Sequence, residues 1–171
     1  AGAADVLAVV KADAYGHGAG PVARTLRRAD VRWLGVALPT EALALRATGD
    51  TGRILAWLWV PGDPSVAAGV REGVDLAVSS QWALAEVVAA AERVGRTAGV
   101  HVKVDTGLSR NGVEAAALPD LLAAVARAER AGLVSVEGMM SHLADGDVPG
   151  AASMAAQRER FDEAIDEARR Q

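Results

Sequence analysis

Short apolar runs of strand length alternate along this chain with stretches whose apolar residues recur at helical spacing. Val6–Val10 is the first run, and Pro21–Ala29 reads as the helix after it, with proline suited to a first turn. Trp33–Ala37 gives a second strand. A helix over Thr40–Thr48 follows, with Thr40 as N-cap and Leu43-Ala44-Leu45 as its apolar stripe. Ile54–Trp59 is a third strand, and Pro61-Gly62-Asp63-Pro64 is turn chemistry leading to a short helix over Ser65–Arg71. Leu76–Val78 is a fourth, followed by a helix that Ser80 caps and that runs to about Val94. Val100–Val104 is a fifth, with a helix over Leu118–Ala131, and Leu133–Met140 is a sixth. The segment Gln157–Gln171 is helical in spacing through Phe161, Ile165 and Ala168, with Asp166 placed to pair with Arg170.

Strand–helix repetition with short connections predicts a parallel sheet covered by helices. Six such units suit a doubly wound sheet or part of a (β/α)8 barrel, and the pattern does not separate the two.

Composition adds bounds more than detail. A hydrophobic share of 51% is ample for a core, although much of it is alanine, which buries little area per residue. The 18 basic and 22 acidic residues are dispersed, so no nucleic-acid stripe and no polybasic membrane patch is legible. Zero cysteines exclude a disulfide framework and a thiolate metal site, and the histidines lack metal-ligand spacing. Asp5 interrupts the early apolar run, no cationic leader is visible, and no apolar stretch approaches bilayer length. A cytoplasmic globular protein is the expectation. The first residue is alanine, and no glycine or proline punctuates the last helix, so the chain is expected to be a piece of something longer.

Candidate chemistry begins at Lys11-Ala12-Asp13-Ala14-Tyr15-Gly16-His17-Gly18, which leaves the first strand at its carboxyl end. Parallel α/β folds place reactive groups there. Lys11 is either a snorkelling lysine or an amine that forms a Schiff base with a carbonyl compound such as pyridoxal phosphate. The glycines beside it allow close approach of backbone to a ligand. In the fifth strand Val100, Val102 and Val104 alternate with His101, Lys103 and Asp105, and a barrel would turn the second set inward. A buried lysine is costly unless paired or neutralised. Arg110 lies past Thr106-Gly107, in what suits a βα loop. Spacing alone also allows Lys103 and Arg110 to be rim charges, His142 a structural hydrogen-bonder, Tyr15 a rim tyrosine, and Trp57 and Trp59 plain strand packing. His17 and His101 carry no assigned role.

The run Val9-Val10-Lys11-Ala12-Asp13-Ala14-Tyr15-Gly16-His17-Gly18 resembles the cofactor-lysine signature of alanine racemases. Lys103-Val104-Asp105-Thr106-Gly107-Leu108-Ser109-Arg110-Asn111-Gly112 resembles that family's second motif. Ser141-His142-Leu143-Ala144, with Asp147 following, resembles its third. The likeness runs across essentially the whole chain but spans only part of the family's length.

The resemblance implies an α/β, fold-type III pyridoxal phosphate enzyme. This chain would be the first six βα units of a (β/α)8 barrel, residues 1–171 forming part of the N-terminal barrel domain, with a C-terminal β domain outside it. It implies pyridoxal 5'-phosphate as cofactor, interconversion of L-alanine and D-alanine for peptidoglycan precursors, and a cytoplasmic homodimer. Lys11 would hold the cofactor covalently and serve one face of the substrate. Tyr15 would lie near the phosphate, Trp57 beside the ring, and His142 among the groups near the cofactor. Arg110 would contact the ring oxygen and the substrate carboxylate, oriented by a carbamylated Lys103. The base for the opposite face is implied to be a tyrosine of the partner subunit's second domain. Tyr15 is the only tyrosine present, so the isolated chain is expected to be inactive. A non-racemase pyridoxal phosphate-binding protein of the same fold type, and a non-enzymatic module, remain the alternatives.

Overall fold

The computed structural model describes residues 4–171. Its six strands are β1 (Leu7–Val9), β2 (Trp33–Val36), β3 (Arg53–Ala56), β4 (Asp75–Val78), β5 (Ala98–Lys103) and β6 (Val134–Met140). They form one sheet in sequence order, every neighbouring pair parallel. Each is followed by a helix: α1 (Ala19–Arg28), α2 (Pro39–Ala47), α3 (Pro64–Arg71), α4 (Gln81–Val94), α5 (Leu118–Arg130) and α6 (Ala152–Ala168). A doubly wound sheet must reverse its strand order at a switch point. This one does not, so the units are six consecutive βα repeats of a (β/α)8 barrel.

The two faces of the sheet are built differently. Leu34, Val36, Ile54, Ala56, Leu76, Val78, Val100 and Val102 point outward into the main core, against Leu45, Val66, Val87 and Leu121 of the helices. The inner face is a smaller cluster of Leu55, Trp57 and Ala77, with Leu7, Trp33 and Met140 packed against it. The alternation expected for β5 holds, since Val100 and Val102 join the outer core while His101 meets the inner Trp33 ring edge-on at 5.3 Å. Trp57 packs inside on the face of Leu55, as alternation requires, whereas Trp59, beyond the end of β3, leaves that alternation and packs against the outer core.

The amino-terminal end of the barrel is held by ions. Arg53 pairs with Asp75 at 2.9 Å and Glu137 at 2.8 Å, and its guanidinium lies 4.4 Å from the Trp33 ring centroid. Below the sheet, Arg46 donates to the carbonyls of Gly52, Glu72 and Gly73, fastening successive αβ loops. Conservation of effort at this face is structural, which leaves the carboxyl ends of the strands free for chemistry. No helix among the described residues is long and apolar enough to cross a membrane.

Several expected boundaries move. Thr40 is not a cap: the second helix opens at Pro39 with Leu38 as its N-cap residue, because proline fits a first helical position. The first helix starts at Ala19, ahead of Pro21, and the last at Ala152, ahead of Gln157. Asp166 pairs with Arg169 at 3.2 Å, while Arg170 pairs instead with Glu167, both at i,i+3 spacing around the helix end. Strand β3 stops at Ala56 because Trp57 and Leu58 both donate to the carbonyl of Ala37, turning the chain across the neighbouring strand end.

Gly35 shows how tightly the inner face is filled. A Cβ there would lie 2.4 Å from a Leu7 methyl and 2.9 Å from the Trp57 ring. Gly35→Ala is therefore expected to destabilise the protein by about 1–3 kcal/mol through overpacking. Urea unfolding at equilibrium measures it, and tryptophan fluorescence should report the displaced ring.

Candidate active site

Lys11 follows β1 directly, and the backbone after it does something L-residues avoid. Ala12, Asp13, Ala14 and Tyr15 have φ of 51°, 54°, 54° and 56°, a turn of left-handed helix. Each such non-glycine residue costs about 1–2 kcal/mol, so four in succession must be held from outside. Within the turn, Ala14 N donates to Val10 O at 2.9 Å and Gly16 N to Ala12 O at 3.0 Å. The Asp13 carboxylate accepts from Ala19 N at 2.6 Å, tying the turn to the start of α1. The Glu41 carboxylate accepts from Ala12 N at 2.6 Å. Ala14 is buried in the core, while Tyr15 is 62% exposed with the Lys11 ammonium 5.9 Å from its ring centroid.

Beyond β5 the chain makes a second tied loop. Asp105 Oδ1 accepts from Gly107 N at 2.9 Å and Ser109 N at 3.0 Å. Asp105 N donates to Val113 O and Val113 N to Lys103 O, closing the loop on itself. Gly112 is obligatory there, since a Cβ would sit 2.4 Å from the Asp105 backbone nitrogen. Arg110 thus stands at an exposed tip whose base is fixed. Lys103, by contrast, is 1% exposed. Burial, reinforced by the Arg110 charge and opposed by Asp105, brings its pKa down to about 8.

Helix α6 fastens both loops of the site. Arg160 donates to the Thr106 carbonyl at 2.8 Å, and the buried Gln157 accepts from Ala144 N at 2.8 Å. The hydroxyls of Thr106 and Ser141 meet at 2.7 Å, joining the Arg110 loop to the His142 loop.

His142 is where these parts converge. Its ring lies 5.4 Å from that of Trp57, inclined at 63°, and its buried Nδ1 has no hydrogen-bond partner. Burial first, then the charges of Lys103, Arg110 and Lys11, push its pKa down to about 4. Among the described residues none of those three cations forms an ion pair, and Asp105 is the carboxylate that acts on Lys103 from nearby. Below it a cleft of about 480 Å³ is lined by Leu7, Trp33, Trp57, Met140 and His142. That cleft takes Trp57 and His142 from the expected set, Lys11, Lys103 and Arg110 act on His142 by charge without lining the cleft, and Tyr15 is exposed beside Lys11. Glu41, Gln157 and Arg160 went unread in the sequence. A glutamate early in a helix looks like any capping residue, and the other two look like ordinary helix-surface positions.

A lysine just past a barrel strand end, with further cations and an aromatic wall at the same end of the sheet, stands where (β/α)8 barrels carry their chemistry. All of residues 1–171 match the family described as alanine racemase, N-terminal domain, and the chain belongs to that family. It is 58% identical over 149 residues to the alanine racemase of Mycolicibacterium smegmatis, covering 87% of this chain and 38% of that protein. It is 50% identical over 166 residues to the alanine racemase of Frankia casuarinae, covering 97% of this chain and 43% of that protein. Among solved structures, alanine racemase from the D-cycloserine-producing Streptomyces lavendulae superposes with a TM-score of 0.95 at 46% identity, over 98% of this chain and 44% of that one. Alanine racemase from Streptomyces coelicolor A3(2) gives 0.94 at 47%, over 98% and 45%. The chain thus spans less than half the length of these relatives.

His101 and His142 set a pH dependence. Burial, the largest cause for each, pushes both down in the folded protein to about 4 from the ordinary 6.5 that holds when unfolded. As pH falls through that window the unfolded chain binds protons first, so stability should be full above 6.5 and decline toward 4. Urea midpoints across the window check this. A His101→Gln, His142→Gln double variant should lose most of the slope.

Proposed function

We propose that this chain is the barrel-forming segment of an alanine racemase that interconverts L-alanine and D-alanine with pyridoxal 5'-phosphate attached at Lys11. The observation that carries the reading is geometric: Lys11 leaves β1 at the carboxyl end of the sheet, where the buried Lys103 ends β5 and the partnerless ring of His142 stands against Trp57. That arrangement fits the group in charge and shape. The amine of Lys11 suits its aldehyde, cations suit its phosphate and ring oxygen, Trp57 supplies a flat wall, and the partnerless Nδ1 of His142 can exchange a hydrogen bond with it or with a water beside it. When bound, the cofactor supplies an electron sink for the pair left on the α-carbon as its proton departs.

The chain's own residues do the rest. Lys11 holds the cofactor and moves the α-proton on one face of the substrate. Arg110 binds the substrate carboxylate with two parallel N–H groups, which fixes the Cα–H direction as an ammonium would not. Lys103, its pKa brought down to about 8, keeps a neutral fraction at cytoplasmic pH; that amine adds to carbon dioxide, forming an N–C bond and losing one N–H proton to water, and the resulting carbamate anion would orient Arg110. His142 and Trp57 hold the inner side of the pocket, and Tyr15 guards its phosphate end. Inversion requires a second base on the opposite face, and Tyr15 lies on the Lys11 side. That base is assigned to the partner subunit of a homodimer, in a C-terminal β domain that follows two further βα units beyond this segment. The cytoplasm is the assigned compartment and peptidoglycan precursor supply the assigned use.

The test is alanine incubated in deuterated water with the full-length protein and pyridoxal phosphate, read for chirality and α-deuteration. Cofactor-dependent interconversion, lost in Lys11→Ala, is expected. Cofactor binding without interconversion would favour a non-racemase of the same fold type. Arg110→Lys keeps the charge but misplaces the carboxylate, so kcat/KM should fall by about 10²-fold with the fold intact. The 171-residue chain by itself should give no interconversion above that of free cofactor.

A further inference from the structure

We infer that Glu41 is a positioning residue for Lys11, acting through the left-handed turn that follows it; this rests on the reading of Lys11 as the cofactor's attachment point. Glu41 lies on α2, away from the cation cluster, and its carboxylate bridges two loops. One oxygen accepts from Ala12 N at 2.6 Å, the other from Leu38 N at 2.8 Å. Those amides belong to the segments leaving β1 and β2, which are paired strands with Val9 opposite Gly35.

The consequence for Lys11 is geometric. On its amino-terminal side, Val10 N donates to Gly35 O at 2.8 Å. On its carboxyl-terminal side the amide is that of Ala12, which lies at the start of the turn and takes its acceptor from Glu41. The backbone on both sides of Lys11 is thereby fastened to the β2 side of the barrel, and only side-chain torsions remain free. A carboxylate suits the task better than an amide would. Two N–H groups need two acceptor oxygens, and a glutamine offers one while setting its own NH2 against the second donor. Without the anchor, Ala12 N–H loses its partner and the strained turn loses the contact nearest the lysine.

The same carboxylate also caps α2, so the test must separate positioning from stability. In the full-length protein, Glu41→Ala and Glu41→Gln are compared with wild type by three measurements. These are amide hydrogen exchange at Ala12 in the cofactor-free state, the dissociation constant for pyridoxal phosphate, and the thermal midpoint. Loss of a charge-assisted bond predicts Ala12 exchange faster by at least about tenfold in Glu41→Ala, with cofactor affinity weakened by a similar factor. Glu41→Gln should fall between, restoring part of the affinity. Wild-type Ala12 protection, or wild-type cofactor affinity, in Glu41→Ala overturns the inference, as does an affinity loss matched by any equally destabilising variant elsewhere on α2. Should Glu41→Ala fail to fold, Glu41→Gln decides by the same two readings. A wild-type protein that takes no cofactor at Lys11 refutes the proposed function, and the Ala12 exchange comparison then refutes or upholds the anchoring of the turn separately.

Discussion

Between Lys11 and Gly16 the backbone runs as a turn of left-handed helix, and much of the site's geometry follows from how that turn is held. L-residues resist this conformation because Cβ crowds the following carbonyl oxygen. The chain nevertheless puts Ala12, Asp13, Ala14 and Tyr15 there in succession. Two carboxylates from either side, Asp13 on Ala19 N and Glu41 on Ala12 N, keep the turn wound, and the buried Ala14 methyl seats it in the core. Small side chains make this feasible. Ala12 and Ala14 bring the least bulk that a non-glycine residue can bring to a left-handed backbone.

Opposite this turn the sheet end carries an excess of positive charge, with Asp105 acting against it at Lys103. Lys103 is buried at the end of β5, Arg110 stands on a loop that Gly112 alone permits, and His142 remains neutral between them. Burying like charges together is costly in a closed protein core. Here the arrangement is tolerated because Arg110 reaches solvent and the Lys103 pKa is lowered. The cost is the kind that an anionic ligand offsets on binding. Helix α6 ties this end in place through Arg160 on Thr106 and Gln157 on Ala144.

The architecture was largely legible in the hydrophobic pattern, since β strands buried on both faces read as apolar runs and their helices as 3.6-residue stripes. Boundaries slipped where local chemistry overrode periodicity, as at Leu38 and Pro39, where a proline in the first turn displaced Thr40 from the cap. The alternation in β5 correctly turned Lys103 inward, because strand geometry admits two faces only. Trp57 and Trp59 looked equivalent in sequence; the alternation that puts Leu55 inside also puts Trp57 there, and the turn of the chain past Ala56 sends Trp59 to the outer core. The left-handed turn was not legible at all. Its residues are alanines, an aspartate and a tyrosine, which carry no glycine signal for positive φ, and the contacts that hold it come from Glu41, 29 residues away. Whether Lys11 acts as an amine or a snorkelling charge was likewise beyond spacing, because it depends on the groups that the barrel gathers around it from strand ends far apart in sequence.

Substitution at Ala12 reaches the central claim most directly, since that residue is exposed and lies inside the left-handed turn. Glycine adopts the left-handed region without the Cβ penalty but loses more entropy on folding. In the full-length protein, equilibrium urea unfolding of Ala12→Gly is expected to show stability unchanged or raised by up to about 1 kcal/mol, with Ala12-adjacent amide protection retained. A loss of about 0.5–1 kcal/mol, the usual cost of glycine in a regular right-handed helix or strand, would contradict the left-handed turn and the placement of Lys11 that depends on it.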